Sequence, residues 1–307
     1  AMAVVLRSLG AGTVRAAAAL GFAALAPLVL GSIVLYRYDL WPAALAAAGL
    51  AGVLAGRQRV GFVALGLGFA VKVFPALLVP PALAYVWRRR GRREALLCLA
   101  SATAVATAVI VPFLALAPHG VWDSVERQAS RPLQIESLGS AALVMAHQFG
   151  GLGRLAVVSS HGSQNLAGSR ADAVGQIESA LLVVALLGIW AAAVLGPARP
   201  ERLVRYAAAS VTAFVAFGKV LSPQFMIWLI PLVPLVRGRR GLAASALLGL
   251  ALLLTQLWFP FRYWRLVFSL DAGIWFLVLA RDLVLVGLLA VLVWPASKEP
   301  ESEPARS

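Results

Sequence analysis

Two of the chain's three lysines stand inside long apolar runs, each shortly before a proline. The segments read Ala70-Val71-Lys72-Val73-Phe74-Pro75 and Gly218-Lys219-Val220-Leu221-Ser222-Pro223-Gln224. An ammonium at apolar depth is costly, so it normally serves a cavity, a pathway or a fixed partner. Lys72 and Lys219 therefore suggest an anionic ligand such as a phosphate, with snorkelling or pairing to an acid as the plainer reading. Ser222 and Gln224 flank the second proline and add a hydroxyl and an amide. Tyr36-Arg37-Tyr38-Asp39-Leu40-Trp41-Pro42 offers an acid among aromatics; Asp39 reads either as a helix N-cap or as a group orienting a cation or a sugar hydroxyl. Arg131, Gln134, Glu136 and Ser137 crowd a single stretch, which reads as a solvated loop with a capping serine or as a sugar and phosphate site. Arg262 and Arg265 in Pro260-Phe261-Arg262-Tyr263-Trp264-Arg265 read equally as an interfacial anchor or a lipid-phosphate clamp. Arg281-Asp282, well inside an apolar run, reads as a structural charged pair.

The composition says what must position these groups. Of 307 residues, 61% are hydrophobic and 13% charged, with a mean hydropathy of +0.86. Soluble domains are about 45–50% apolar and about 25% charged, so a soluble enzyme, a disordered scaffold and a secreted disulfide module are excluded. A net charge of +14 does not point to nucleic acid, because the arginines sit in short clusters between apolar runs, as in cytoplasmic loops of membrane proteins. Cys98 stands alone in an apolar run, and the three histidines lack metal-ligand spacing. No Walker loop, dinucleotide fingerprint, zincin motif or G-x-S-x-G is present, and no metal or cofactor is expected.

The apolar runs are approximately 14–35, 41–56, 60–87, 95–117, 174–195, 203–236, 242–259 and 274–294. The runs holding Lys72 and Lys219 are bracketed by arginines at both ends: Arg57 and Arg59 against Arg88–Arg93, and Arg199–Arg205 against Arg237–Arg240. A single crossing would leave one cluster of each pair on the wrong face. Proline breaks both runs near the middle. The expected fold is an all-α polytopic transmembrane bundle, with about six full spans plus two broken, re-entrant helical hairpins. It forms one domain over 1–295, with a disordered cytoplasmic tail at 296–307 and a large outward loop at about 118–173. Both termini are cytoplasmic in this scheme, and the lysine-bearing breaks line a cavity open to the outside of the cytoplasmic membrane.

At these residues the sequence resembles bacterial polyprenyl-phosphate-sugar-dependent glycosyltransferases of the GT-C superfamily, specifically glycosyltransferase family 87. The resemblance rests on Arg37–Pro42, Gly68–Pro75, Arg131–Ser137 and Lys219–Phe225, with Arg281-Asp282-Leu283 similar to the family's Arg-Asn-Leu. It runs from about residue 30 to 290, and the order and spacing of the motifs make the set specific. It implies a lipid-linked sugar donor, polyprenyl-phosphate mannose, and a lipid or glycan acceptor, with transfer by inversion outside the membrane. Among the residues at hand it suggests Asp39 and Glu136 for catalysis. Lys72, Lys219, Arg131, Gln134, Ser137, Ser222, Gln224, Arg262 and Arg265 would hold substrate. The family's first outward loop with its catalytic acid, often in a Glu-Tyr-Pro-Pro segment, has no counterpart before Val14. A truncated chain with little activity of its own is therefore expected, or a base located elsewhere, or an inactive protein. The partners implied are the donor, the acceptor and membrane lipids, with no nucleic acid. A secondary transporter, whose broken helices look alike, and an inactive partner or lipid-linked polymer ligase are the alternatives.

Overall fold

A computed structural model describes residues 1–151, 153 and 155–294; the tail read as disordered lies outside them. The chain is helical almost throughout, because a backbone in hydrocarbon must satisfy its own hydrogen bonds. It opens with α1 (Met2–Ser8), α2 (Thr13–Leu30), the single turn α3 (Ile33–Tyr36) and α4 (Leu40–Leu54). Then come α5 (Gln58–Val71), α6 (Val79–Arg90) and α7 (Arg92–Leu116), followed by α8 (Pro118–Ala129) and α9 (Leu138–Gln148). After a hairpin of β1 (Ala156–Ser160) and β2 (Ser163–Ala167), α10 (Ser169–Leu195) and α11 (Pro200–Phe217) re-enter the bundle. It closes with α12 (Met226–Leu229), α13 (Gly238–Trp258), α14 (Tyr263–Ser269) and α15 (Ala272–Val293).

Among the described residues, five helices are long and apolar enough to cross a membrane: α2, α7, α10, α13 and α15. Their outward faces carry bare apolar side chains such as Leu28, Val184 and Leu195, which suits lipid rather than water. The sixth expected span, α4, has 15 residues, or about 22 Å of helix. It is short because Arg57 and Asp39 cap the apolar stretch closely at its two ends.

Both broken hairpins are present, and their register is explicit. Arg59 at the start of α5 pairs with Glu94 at the start of α7 at 2.7 Å. Further along, a Cβ on Gly66 would lie 2.3 Å from the Ala102 carbonyl oxygen, so α5 and α7 run parallel in close backbone contact. The intervening 3₁₀ turn Phe74–Leu78 and α6 must therefore return the chain to its starting end. In the second hairpin, Arg237 pairs with Glu201 at 3.1 Å, which brings the two flanks of the 203–236 run to one end. Arg88 bonds the carbonyls of Val194 (2.7 Å) and Gly196 (3.1 Å). Arg15 bonds those of Val236 (2.6 Å) and Pro234. These contacts gather every arginine cluster flanking the hairpins at one end of the bundle, and both breaks at the other.

The 118–173 region is more structured than its composition suggests. The β-hairpin turns at His161-Gly162, both with positive φ (53° and 71°), the backbone that a tight two-residue hairpin turn demands. Leu133 and Ile135 pair with β2 through Leu166 N–H to Leu133 O and Ile135 N–H to Gln164 O. They join Ala141, Val144, Trp258 and Trp275 in a second apolar core at this end, apart from the main core of α4, α5, α11 and α13.

Candidate functional site

α5 stops at Val71 because Lys72 turns extended (φ −160°, ψ 141°) ahead of Pro75. That turn brings the Lys72 ammonium to Asp39 Oδ1 at 2.6 Å, across the antiparallel pair of α4 and α5. Asp39 is fully buried and does not cap α4 with its side chain; the N-cap reading gives way to an ion pair. Trp228 Nε1 donates to the same oxygen at 2.5 Å, while Asp39 Oδ2 accepts no hydrogen bond. Phe74 and Phe225 stack on the two sides of Trp228, with centroids at 4.4 and 4.0 Å. Lys72 Nζ lies 5.1–5.6 Å from the rings of Tyr38, Phe225 and Trp228, within cation–π range. The lysine expected to present a free cation is thus engaged, though 19% of its side chain still reaches the surface.

The second group of polar residues lies where the chain breaks after α11. Gln134 N–H bonds the Lys219 carbonyl at 2.9 Å, and its side-chain Nε2 bonds Ser222 Oγ at 3.0 Å and Glu136 Oε2. The stretch from Leu133 to Ser137 is buried, so the solvated-loop reading fails. It is sealed between β2 and the broken segment 218–222. Ser137 does cap α9, accepting from Ser140 N–H at 3.3 Å. Arg281 Nη2 bonds the Glu136 carbonyl at 2.8 Å, and its Nε meets Asp282 Oδ1 at 2.6 Å. Glu178 Oε1 accepts from Gly139 N–H at 2.6 Å. Burial pushes the Glu136 carboxyl up to about 8, although Arg281 pulls it down.

Of the residues expected to hold substrate, Gln134, Ser137 and Ser222 come together around Glu136. Lys219 joins them by its backbone, and its stem passes Gly175 of α10. Arg131 sits at the rim, bonding Ser163 Oγ at 3.0 Å, and Gln224 adjoins Phe225 of the aromatic wall. Arg262 and Arg265 are exposed, and Arg265 is paired with Asp271 at 2.8 Å on its own connection. Sequence reasoning passed over Glu178 and Trp228. Glu178 had a signal, as the one acid embedded in the 174–195 apolar run; Trp228 had none, since any tryptophan in an apolar run reads as core.

The segment 218–225 is the wall shared by both groups, contributing Ser222 to one and Phe225 to the other. Together they set carboxylates, cations, amides and hydroxyls at the end of the bundle opposite the arginine clusters, a donor set suited to a phosphorylated sugar. No curated protein and no solved structure matches the chain. A family model does: that of glycosyltransferase family 87, over residues 1–223, from α1 to the second break. The match covers well over half of the sequence and includes Asp39, Lys72, the 131–137 segment and Lys219. The chain belongs to glycosyltransferase family 87.

Proposed function

We propose that the protein transfers a sugar, mannose by its resemblance, from polyprenyl phosphate to a hydroxyl of a lipid or glycan. The reaction takes place at the end holding Asp39 and Glu136. The positive-inside rule assigns the opposite, arginine-rich end to the cytoplasm, so both termini are cytoplasmic and the transfer is extracytoplasmic. In this scheme Asp39 Oδ2 removes the proton of the acceptor hydroxyl as its oxygen attacks the anomeric carbon. The bond from that carbon to the phosphate oxygen breaks with inversion, and its electron pair leaves with the polyprenyl phosphate. Lys219 and Arg131 offset the charge growing on that phosphate, and Lys72 and Trp228 hold Asp39 in place. Glu136, buried like Asp39 and with Oε1 likewise unbonded, is held by Gln134 and organises the wall in its neutral form.

The observation that carries this reading is the unengaged oxygen of Asp39, beside a lysine that still reaches the surface, in a family-87 chain. A transporter is less well supported: inverted repeats would oppose the two breaks, whereas both lie at one end. The test is transfer from radiolabelled polyprenyl-phosphate mannose in membranes carrying the protein, with Asp39→Asn beside wild type. With Asp39 as the base located elsewhere than in the family's first outward loop, transfer by wild type and its loss in Asp39→Asn are expected. Equal transfer by the two proteins would remove Asp39 from the role of base, and wild-type membranes indistinguishable from blank membranes would overturn the reading.

A further inference from the structure

We propose that the arginine-rich end carries a second site, which binds a phosphate-bearing anion in the cleft between α6, α10 and α11. Tyr85 and Arg88 of α6 form one wall, and Arg199, Arg202 and Tyr206 form the other. Among the described residues no acid lines the cleft, and the two carboxylates nearest in sequence are taken: Glu201 by Arg237 and Glu94 by Arg59. Among the described residues the cleft's positive charge is therefore unanswered.

The site is built rather than incidental. The Arg202 guanidinium lies over the Tyr206 ring, 5.0 Å from its centroid, and Nη2 bonds the Ala192 carbonyl at 2.8 Å. It is seated in a gap that only glycine leaves open, since a Cβ on Gly196 would fall 1.7 Å from Nη2. Arg205 packs on the same ring at 4.7 Å and holds the Tyr206 hydroxyl at 2.9 Å. Arg88 is fixed by two carbonyls at the end of α10 through Nη1 alone. Arg202 Nε is buried without a hydrogen-bond partner. Arg199 is exposed at the mouth. Fixed guanidinium forks with donors to spare match the oxygens of a phosphate.

The level of the cleft matters too. It opens where α10 ends its apolar run at Leu195, next to the exposed Trp87 near the end of α6, a residue type that marks the membrane interface. The phosphate of an anionic phospholipid in that leaflet reaches it, as does a free phosphate from solution. Basic pockets between spans at this level suit such headgroups.

Short-chain phosphatidylglycerol, short-chain phosphatidylcholine and inorganic phosphate are titrated onto the purified full chain in detergent, reading bound ligand by native mass spectrometry and melting temperature. Phosphatidylglycerol is expected to bind and stabilise, and phosphatidylcholine is not. Arg199→Gln, at an exposed position, should weaken phosphatidylglycerol binding roughly tenfold, the loss of one charge-assisted contact. Arg202→Gln should weaken it at least as much, with Arg202→Lys recovering only part. Arg239→Gln, elsewhere on the same end, should leave it unchanged. Protection by inorganic phosphate as well as lipid supports the site and identifies the phosphate group itself as the ligand; protection by lipid alone identifies the headgroup. Equal response to phosphatidylglycerol and phosphatidylcholine, or equal weakening in Arg199→Gln and Arg239→Gln, overturns the proposal.

Discussion

The pairing of Asp39 with Lys72 and the nest around Glu136 both bury carboxyl groups, but they balance charge in opposite ways. Asp39 has one lysine, one indole N–H and three aromatic rings around that lysine, so the charges offset each other and one buried carboxylate oxygen is left without a hydrogen bond. Around Glu136 two further acids gather, Glu178 and Asp282: Asp282 pairs with the buried guanidinium of Arg281, which also bonds the Glu136 carbonyl, and Glu178 accepts from Gly139 N–H. That surplus of acid cannot all be ionised at low dielectric, and the raised value of Glu136 places a proton there at neutral pH. The lesson is that burial alone does not identify a base; the balance of cations against acids around it does.

The sharpest way to break this contrast is to neutralise each acid with its isosteric amide. Asp39→Asn should lower the transfer rate by about 10²–10⁴-fold, the usual worth of general-base catalysis. Glu136→Gln should stay within roughly tenfold of wild type, because an amide replaces a carboxyl that is already protonated. Transfer rates normalised to folded protein decide it, and the reverse ranking would make Glu136 the base.

Removing the cation is the next largest perturbation. Lys72→Met leaves Asp39 buried and unpaired, which should cost stability toward the low end of about 3–5 kcal/mol, given the lysine's partial exposure. The double variant Lys72→Met with Asp39→Asn should recover much of that loss in thermal unfolding, but none of the activity. If the double variant is no more stable than Lys72→Met alone, the two residues are not energetically coupled.

The nest around Glu136 should reveal itself through pH. A carboxyl raised to about 8 in the folded protein binds a proton that the unfolded chain has released, so stability falls as pH rises from about 4.5 toward 8. The fall approaches about 1 kcal/mol per pH unit in the steepest part of that window. Arg131 on its own segment, Glu178 from α10 and Arg281 and Asp282 from α15 share the field. The measurement is therefore the difference between melting curves of wild type and Glu136→Gln from pH 5 to 9. The variant should show the shallower decline, and parallel curves would mean that Glu136 does not carry the proton.

Much of this was legible in the sequence because membrane insertion leaves few options. Arginine clusters on both sides of Val60–Trp87 and Leu203–Val236, with prolines breaking each run, dictate the two hairpins. The Lys72 site was legible as a place but not as a partnership, since Asp39 lies 33 residues away and meets it only through the antiparallel packing of α4 on α5. The 131–137 stretch misled for the reason that makes it useful. Its arginine, glutamine, glutamate and serine look solvated by composition, yet Gln134 bonds Ser222 and the Lys219 carbonyl, Ile135 bonds β2, Arg281 bonds the Glu136 carbonyl and Ser137 caps α9, while Gln134 Oε1 and Glu136 Oε1 stay buried and unbonded. Arg281-Asp282 read correctly as a pair, but its reach to the Glu136 carbonyl depends on how deep the loop descends. Counted from the starts of α10 and α15, Glu178 and Arg281 lie nine residues along, about 14 Å of helix.

The smallest test probes what joins the two regions. Ser222 is the one side chain of the 218–222 break that bonds the Glu136 nest, through Gln134 Nε2, while three residues on Phe225 walls Lys72. If the break is a rigid partition, loosening its hold on Gln134 should be felt on the far side. Ser222→Ala removes one hydrogen bond and should cost about 1 kcal/mol of stability, a small shift in melting temperature. Its effect on transfer should fall on donor KM more than on kcat, because Lys219 lies in the same break and keeps only its carbonyl bond to Gln134 N–H, while Asp39 keeps Lys72 and Trp228. Ser222→Thr, which retains the hydroxyl, should restore the KM. A Ser222→Ala variant with wild-type KM and a reduced kcat would instead mean that the break supports Asp39 directly, and that the two regions work as one.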